Sequence, residues 1–325
     1  MLNINSVQNE KIKEYVKLSK NATARNESGL FTFEGVKLLQ EANLCGLKIK
    51  HIFITNESMA KIIKKDAEQP TTGPCHSNNR FVQTQRMGIC MENYREVLQD
   101  VINYIPSERT HKTDDIINHI PSVRTHKTYD IINHYDVYTI NAAIANKLAA
   151  VKQPQGVFVV AEKFTQKLTL QNIKPSGKYL LLYDISDPGN MGTIIRGADA
   201  LGIDGIICSA NCCDVYNFKV IRASMGSIFR IPFLIFDDIP QFLKLTATRK
   251  IKSYAAVVDK TAKDVTECDF SSGCVLCIGN ESEGLPCEVI TQCTDKITVR
   301  MKRQAESLNA AAAAHIFMWE MMGEF

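Results

Sequence analysis

The chain has 325 residues, 45% hydrophobic and 22% charged, with a net charge of +3. That length predicts two domains with real apolar cores, and the weak positive charge permits nucleic-acid binding without arguing for it. Eleven cysteines at no framework spacing, several inside apolar runs (Cys208, Cys274, Cys277), argue against a disulfide scaffold and for reduced thiols in a cytoplasmic protein.

The N-terminus lacks the apolar core of a signal peptide. No apolar run reaches the roughly 18 residues of a membrane span, and the nearest, Ala310–Met322, contains His315 and Glu320. Residues 10–20 predict an amphipathic helix with Ile12, Tyr15 and Val16 on one face. With Lys11, Lys13, Lys17, Lys20 and Arg25, this opening segment is locally basic. Residues 34–42 predict a second helix and 49–55 a strand, the alternation of a small α/β domain.

From about residue 66 to 134 the order breaks. Asp100, Asp115 and Asp130 each open a copy of the same short pattern at a period of 15, and RTHKT occurs at both Arg109 and Arg124. Too few copies exist for a solenoid. The interval therefore predicts a duplicated surface insertion, with an RNA-binding arm as the functional alternative. Regular order is expected again over 137–148 and in a strand at 156–161, followed by a linker at 162–177.

Beyond the linker, strands are expected at 179–185, 205–209, 231–236, 253–258, 274–279 and 297–301. Helices are expected at 191–201, 217–225, 239–246 and 307–322. Apolar strands alternating with helices predict a mostly parallel sheet covered on both faces. Ligands in such sheets sit at the carboxyl ends of the strands, so the turns there are the place to look for chemistry.

Three turns carry unusual residues. The first, DPGNMGTIIRGA from Asp187, has glycines that allow close backbone approach, Asn190 as a candidate helix cap and Arg196 further into the helix. The second, IGNESEGLP from Ile278, places Glu281 at a strand end. An acidic helix N-terminus explains that carboxylate equally well. The third has Ser307 and Asn309 before five consecutive alanines, which reads as a capped, closely packed terminal helix. The Cys274-x-x-Cys277 spacing resembles a metal or redox motif. Within a strand, however, residues three apart face opposite sides, so no metal is expected.

Taken together, in this order and at these strand ends, the three turns resemble the signature motifs of the SpoU/TrmH-type methyltransferases of the SPOUT superfamily. The resemblance covers residues 177–325, including NFKVIRASMGSIFRIP from Asn217. More loosely, residues 10–55 and 137–161 resemble the ribosomal-protein-like substrate-binding domain often fused in front. It implies an α/β fold whose C-terminal, mostly parallel sheet contains a trefoil knot, behind a smaller N-terminal α/β domain. The domains would be a substrate-binding domain over 1–161 interrupted at about 66–134, a linker over 162–177 and the methyltransferase domain over 178–325.

The implied activity is S-adenosylmethionine-dependent methylation of a ribose 2′-hydroxyl in ribosomal RNA, with transfer RNA the alternative substrate, by a homodimer. By motif position the implied catalytic residues are Arg196, Asn190, Glu281, Ser307 and Asn309. The cofactor would lie against Cys277, Ile278, Gly279, Ile297, Val299, Met301 and Leu308. The sequence departs from the family where Arg300 stands in a proline's place and Arg303 in a glycine's. That departure predicts altered pocket geometry or added phosphate contacts. It also motivates the rival reading of an RNA-binding protein without catalysis. A nucleotide-cofactor oxidoreductase lacks its glycine fingerprint here.

Overall fold

The structure, a computed structural model, describes residues 2–68, 128–151, 153–164, 168–301 and 307–323. The first RTHKT, all of the second except its final Thr128, and Arg303 lie outside the described residues. The chain forms two compact units. One is made of residues 1–13, 34–36 and 49–159, the other of 14–33, 37–48 and 160–325.

Toward the N-terminus the elements are β1 (Leu2–Ile4), α1 (Glu10–Lys20), α2 (Ala22–Ser28), β2 (Leu30–Glu34), α3 (Val36–Leu44), β3 (Ile49–Thr55) and α4 (Asn56–Glu68). After the gap in description come α5 (Thr128–Asn133), β4 (Val137–Ile140), α6 (Ala142–Leu148) and β5 (Val157–Glu162). The strands form a sheet in the order β1-β4-β3-β5-β2, with β1 and β3 each parallel to β4. The hydrophobic periodicity of 10–20 and the β-branched run at 49–55 became α1 and β3 at the expected bounds. Helical order runs further into the 66–134 interval from both sides than its composition indicates. Tyr129, Ile131 and Ile132 bury their side chains, and the Asp66 carboxylate accepts the Tyr129 N–H at 2.9 Å. Tertiary burial holds these turns, which local sequence alone does not mark.

The larger sheet contains β6 (Lys178–Leu182), β7 (Gly205–Ser209), β8 (Phe233–Phe236), β9 (Lys252–Ala256), β10 (Lys263–Asp264), β11 (Cys274–Ile278) and β12 (Asp295–Thr298). Its order is β10-β12-β9-β11-β6-β7-β8, and every neighbouring pair is parallel. The helices are α7 (Pro188–Ala200), α8 (Phe218–Ser224), α9 (Ile239–Thr248), α10 (Cys287–Ile290) and α11 (Ala310–Met322). From β6 the chain winds outward through β7 and β8, then returns to build β9, β12 and β10 on the other side, with β11 against β6. The winding direction therefore reverses between β6 and β11, and ligands in open α/β sheets bind outside the strand ends at such a switch point. Leu181, Ile207, Val275, Cys277 and Ala255 pack with Phe242 and Leu243 of α9 to fill the core on one side.

Helix α7 begins at Pro188, three residues earlier than expected. Asp187, not Asn190, is its cap: the Asp187 carboxylate accepts the Asn190 N–H at 2.7 Å. A proline at the first helical position lacks an N–H that would be orphaned there anyway, so the helix starts where the pattern of apolar residues does not yet show it. Asn190 is thereby released from capping.

Helices α7 and α8 approach closely at Gly192. A Cβ there would stand 2.5 Å from the Ala223 Cβ and 2.6 Å from the Val220 carbonyl oxygen. In an open helix Gly→Ala gains about 1 kcal/mol. Here the obstruction is partly backbone, so overpacking outweighs propensity. Gly192→Ala is expected to destabilise the protein by about 1–3 kcal/mol in urea unfolding; a gain in stability would refute this packing account.

Candidate active site

The chain leaves β6 through Tyr183 and Asp184, whose φ of 53° lies in the left-handed region. Asparagine and aspartate tolerate that region because their short side chains bond locally. Here the Asp184 N–H donates to Ser209 Oγ at 2.8 Å, and Ser209 Oγ donates back to the Asp184 carboxylate at 2.6 Å. The Asp184 carbonyl accepts Asn280 Nδ2 at 2.7 Å. One strained residue thus ties the carboxyl ends of β7 and β11 to that of β6.

The β11 loop is built around Asn280 and two glycines. Asn280 and Gly284 exchange main-chain hydrogen bonds at 3.0 and 3.1 Å, while Asn280 Oδ1 accepts from the Ser282 and Glu283 N–H groups. Gly279 is required by this closure, since a Cβ there would come within 2.2 Å of the Gly284 carbonyl carbon. Glu281 is turned back across the sheet end toward α7. Its carboxylate accepts the Ser186 N–H and Oγ, each at 3.2 Å, the Asp187 N–H at 3.2 Å and Asn190 Nδ2 at 3.0 Å.

Asn190 completes a bridge. Its Oδ1 accepts Asn309 Nδ2 at 2.9 Å. Asn309 in turn caps α11 through Oδ1, which accepts the Ala311 and Ala312 N–H groups at 3.0 and 3.2 Å. The structure therefore joins Glu281, Asn190 and Asn309, one from each of the three turns, in a single hydrogen-bonded line. The other two candidates stand outside it. Arg196 is exposed on α7, six residues past Asn190 and about 120° around the helix, with no hydrogen bond or ion pair among the described residues. Ser307 is exposed just before the α11 cap.

Cys277, Ile278 and Ile297 are buried in β11 and β12. Gly279, Val299 and Met301 are half-buried just past the strand ends, and Leu308 is 38% exposed. These residues suit an adenosyl group. Main chain where ladder pairing ends offers donors and acceptors for a base edge, and partly exposed Val299, Met301 and Leu308 offer an apolar wall. Arg300 is met from within the protein, by Asp264 at 3.0 Å and Glu267 at 3.1 Å. Its charge is already partnered on this surface.

Sequence reasoning passed over Asp184, Ser186, Asp187 and Asn280. A signal for Asp187 was present, an aspartate directly before proline at a helix start. Nothing local marks Asp184, because its partners arrive from 25 and 96 residues away.

Residues 177–319 match the SpoU rRNA Methylase family, and residues 9–85 match an MRM3-like substrate binding domain. Residues 177–319 thus form a SpoU methylase domain. The chain is 30% identical over 184 residues to an uncharacterized tRNA/rRNA methyltransferase of Synechocystis sp., an alignment covering 56% of this chain and 66% of that protein. It is 29% identical over 186 residues to the 23S rRNA (guanosine(2553)-2′-O)-methyltransferase RlmP of Bacillus subtilis, covering 57% and 72%. It is 36% identical over 139 residues to a 23S rRNA (uridine(2479)-2′-O)-methyltransferase of Streptomyces viridochromogenes, covering 42% and 48%. The chain thus spans about half to three quarters of the length of these relatives. In fold it is similar to the AdoMet-bound rRNA methyltransferase of Sinorhizobium meliloti, with a TM-score of 0.69 at 23% identity over 98% of this chain and 96% of that one. It is also similar to the SpoU methyltransferase AviRb of Streptomyces viridochromogenes, with a TM-score of 0.67 at 22% identity over 97% of each.

Burial opposes ionisation of the Glu281 carboxyl. Donors from Asn190 and from the main-chain N–H groups of Glu281, Ser186 and Asp187 outweigh it and hold the carboxyl below its ordinary value of 4.5. A carboxyl lowered in the folded state stabilises the fold above its unfolded pKa and loses that contribution as pH falls through the folded value. Glu281→Gln is therefore expected to be less stable than the parent at pH 7, with the gap in urea midpoint closing as pH falls below 4.5 and through the lowered folded value. A gap that persists unchanged at low pH would show that charge is not what the four donors recognise.

Proposed function

We propose that the chain is an S-adenosylmethionine-dependent methyltransferase that modifies a ribose 2′-hydroxyl of ribosomal RNA. The observation that carries this reading is the Glu281–Asn190–Asn309 line, lying at the switch point of an all-parallel sheet. The names of the relatives, two of them 23S rRNA 2′-O-methyltransferases, support the substrate class.

The bound cofactor supplies a methyl group on a positively charged sulfur, and its transfer to oxygen needs no metal. Cys277, Ile278, Gly279, Ile297, Val299 and Met301, with the Leu308 side chain, would hold the adenosyl group. A ribose hydroxyl is a weak nucleophile and gains from proton removal and from stabilised negative charge. A guanidinium is a permanent cation rather than a proton acceptor, so that of Arg196 acts by stabilising charge that develops on the ribose oxygen. Asn190, Glu281 and Asn309 hold the three turns that present ribose and cofactor to each other, where positioning supplies much of the rate. Ser307 adds an exposed hydroxyl at the third turn.

Residues 1–161 act as the RNA-binding domain, interrupted at about 66–134. Residues 162–177 are the linker and 178–325 the methyltransferase domain, with the trefoil knot of its superfamily. The protein acts in the cytoplasm as a homodimer. Helix α11 supports dimerisation, since Phe317, Met318 and Met321 are buried while Ile316 and Trp319 are 39% and 56% exposed. Apolar surface of that size on one helix suits a second copy. Sedimentation at a single 36.4 kDa chain would contradict the dimer.

Methyl transfer from labelled S-adenosylmethionine to unmodified ribosomal RNA, followed by alkaline hydrolysis, tests the activity. A 2′-O-methyl group removes the hydroxyl that alkaline cleavage needs, so the label is expected in resistant dinucleotides. Arg196→Ala is expected to slow transfer about 100- to 1000-fold with RNA affinity nearly intact. Equal loss of both would make Arg196 an RNA contact rather than a catalytic residue.

A further inference from the structure

Strand β11 brings the sulfur of Cys277 within 3.8 Å of the sulfur of Cys293. The two residues differ in setting. Cys277 is fully buried in the core, packed with Leu285 and Val289, whereas Cys293 is only half-buried at the turn after α10. The contact with Cys277 favours ionisation of Cys293. Burial opposes it, a hydrogen bond involving Ser253 assists, and the net result holds the Cys293 thiol below its ordinary value. Cys277 moves the other way, pushed well above its ordinary value by the same contact and by burial. A reachable sulfur that is the easier of the two to ionise, 3.8 Å from a sheltered one, is the arrangement of an attacking and a resolving thiol.

We propose that Cys277 and Cys293 form a modification site at which a hydroperoxide produces a reversible disulfide. The Cys293 thiolate attacks the peroxide oxygen. The O–O bond breaks, the alkoxide or hydroxide leaves, and Cys293 becomes a sulfenic acid. The Cys277 sulfur then attacks the Cys293 sulfur and displaces hydroxide, which takes up the Cys277 proton as water. Two thiols lose two electrons and the peroxide gains them, giving one disulfide, one alcohol or water from the peroxide, and one further water. A disulfide needs sulfurs about 2.05 Å apart. The remaining gap is closed by side-chain rotation at Cys293, which sits in a turn rather than in a ladder. The cross-link closes the segment that carries Glu281 and α10 into a ring, so oxidation is expected to stiffen the loop at the switch point. This inference does not rest on the methyltransferase reading.

The test is limited hydrogen peroxide treatment of the full chain, blocking of free thiols, digestion after glutamate and fragment mass spectrometry. Cleavage at Glu267, Glu281 and Glu288 separates the peptide carrying Cys277 from the one carrying Cys293, and both from Cys287. The expected result is one cross-linked pair, two hydrogens lighter, assigned to Cys277 and Cys293, lost on dithiothreitol treatment and accompanied by a higher melting temperature. Cys277→Ser is expected to abolish the cross-link and leave a sulfenic acid at Cys293 that dimedone captures. A bond between other cysteines, or oxidation of Cys293 to the sulfinic acid while Cys277 remains alkylated, would overturn the proposal.

Discussion

A half-buried carboxylate surrounded by four donors organises this end of the molecule. Glu281 accepts from Ser186 twice, from Asp187 and from Asn190, and hydrogen bonds to an ionised acceptor are roughly twice as strong as neutral ones. The Ser186 and Asp187 donors belong to the turn after β6 and Asn190 to the first turn of α7, while the acceptor belongs to the turn after β11. The carboxylate therefore fixes two neighbouring strand ends where the winding of the sheet reverses. The amide of Asn190 extends the order to a third segment, donating to Glu281 and accepting from Asn309. An asparagine is suited to this bridge because it offers a donor and an acceptor on one planar group. Asparagine assignments of O and N follow from such networks, and here a donor-to-carboxylate orientation leaves only the oxygen to meet Asn309 Nδ2.

The rest of the site depends on that junction. Asn309 anchors the start of α11, so the position of the terminal helix is tied to the same line that positions Glu281. Asp184 in its left-handed conformation locks the β7 and β11 ends from beneath through Ser209 and Asn280. Arg196 is left outside, exposed one and a half turns further along α7. A cation held apart from the nearby carboxylate remains available to a ligand, whereas Arg300, paired with Asp264 and Glu267, is not.

Much of the larger unit was legible because parallel strands buried on both faces read as continuous apolar runs, and β7 was placed at its observed bounds. Asn190, Glu281 and Asn309 could be singled out because their three turns, in this order and at these strand ends, resemble the SpoU/TrmH-type motifs. Their mutual contacts could not be read, since Asn190 and Asn309 are 119 residues apart and no local rule links them. The start of α7 was misplaced because Asn190 satisfies the capping preference as well as Asp187 does, and the proline between them decides in favour of Asp187. Helices α2, α4 and α5 were not distinguished from their surroundings, although α2 carries local marks of its own, the Asn21 cap and the left-handed Gly29 that ends it. In Asp184, as often at functional sites, the residue that breaks a local backbone rule is supported only by distant partners.

The central claim is that these three turns assemble a working cofactor site despite Arg300 in the place of a proline. Titration calorimetry of S-adenosylmethionine into the purified, folded chain tests it most directly. The account predicts saturable binding in the micromolar range that weakens when Gly279 is replaced by a residue its loop cannot hold. Absence of binding heat from a protein that unfolds cooperatively would contradict it and favour an RNA-binding protein without catalysis.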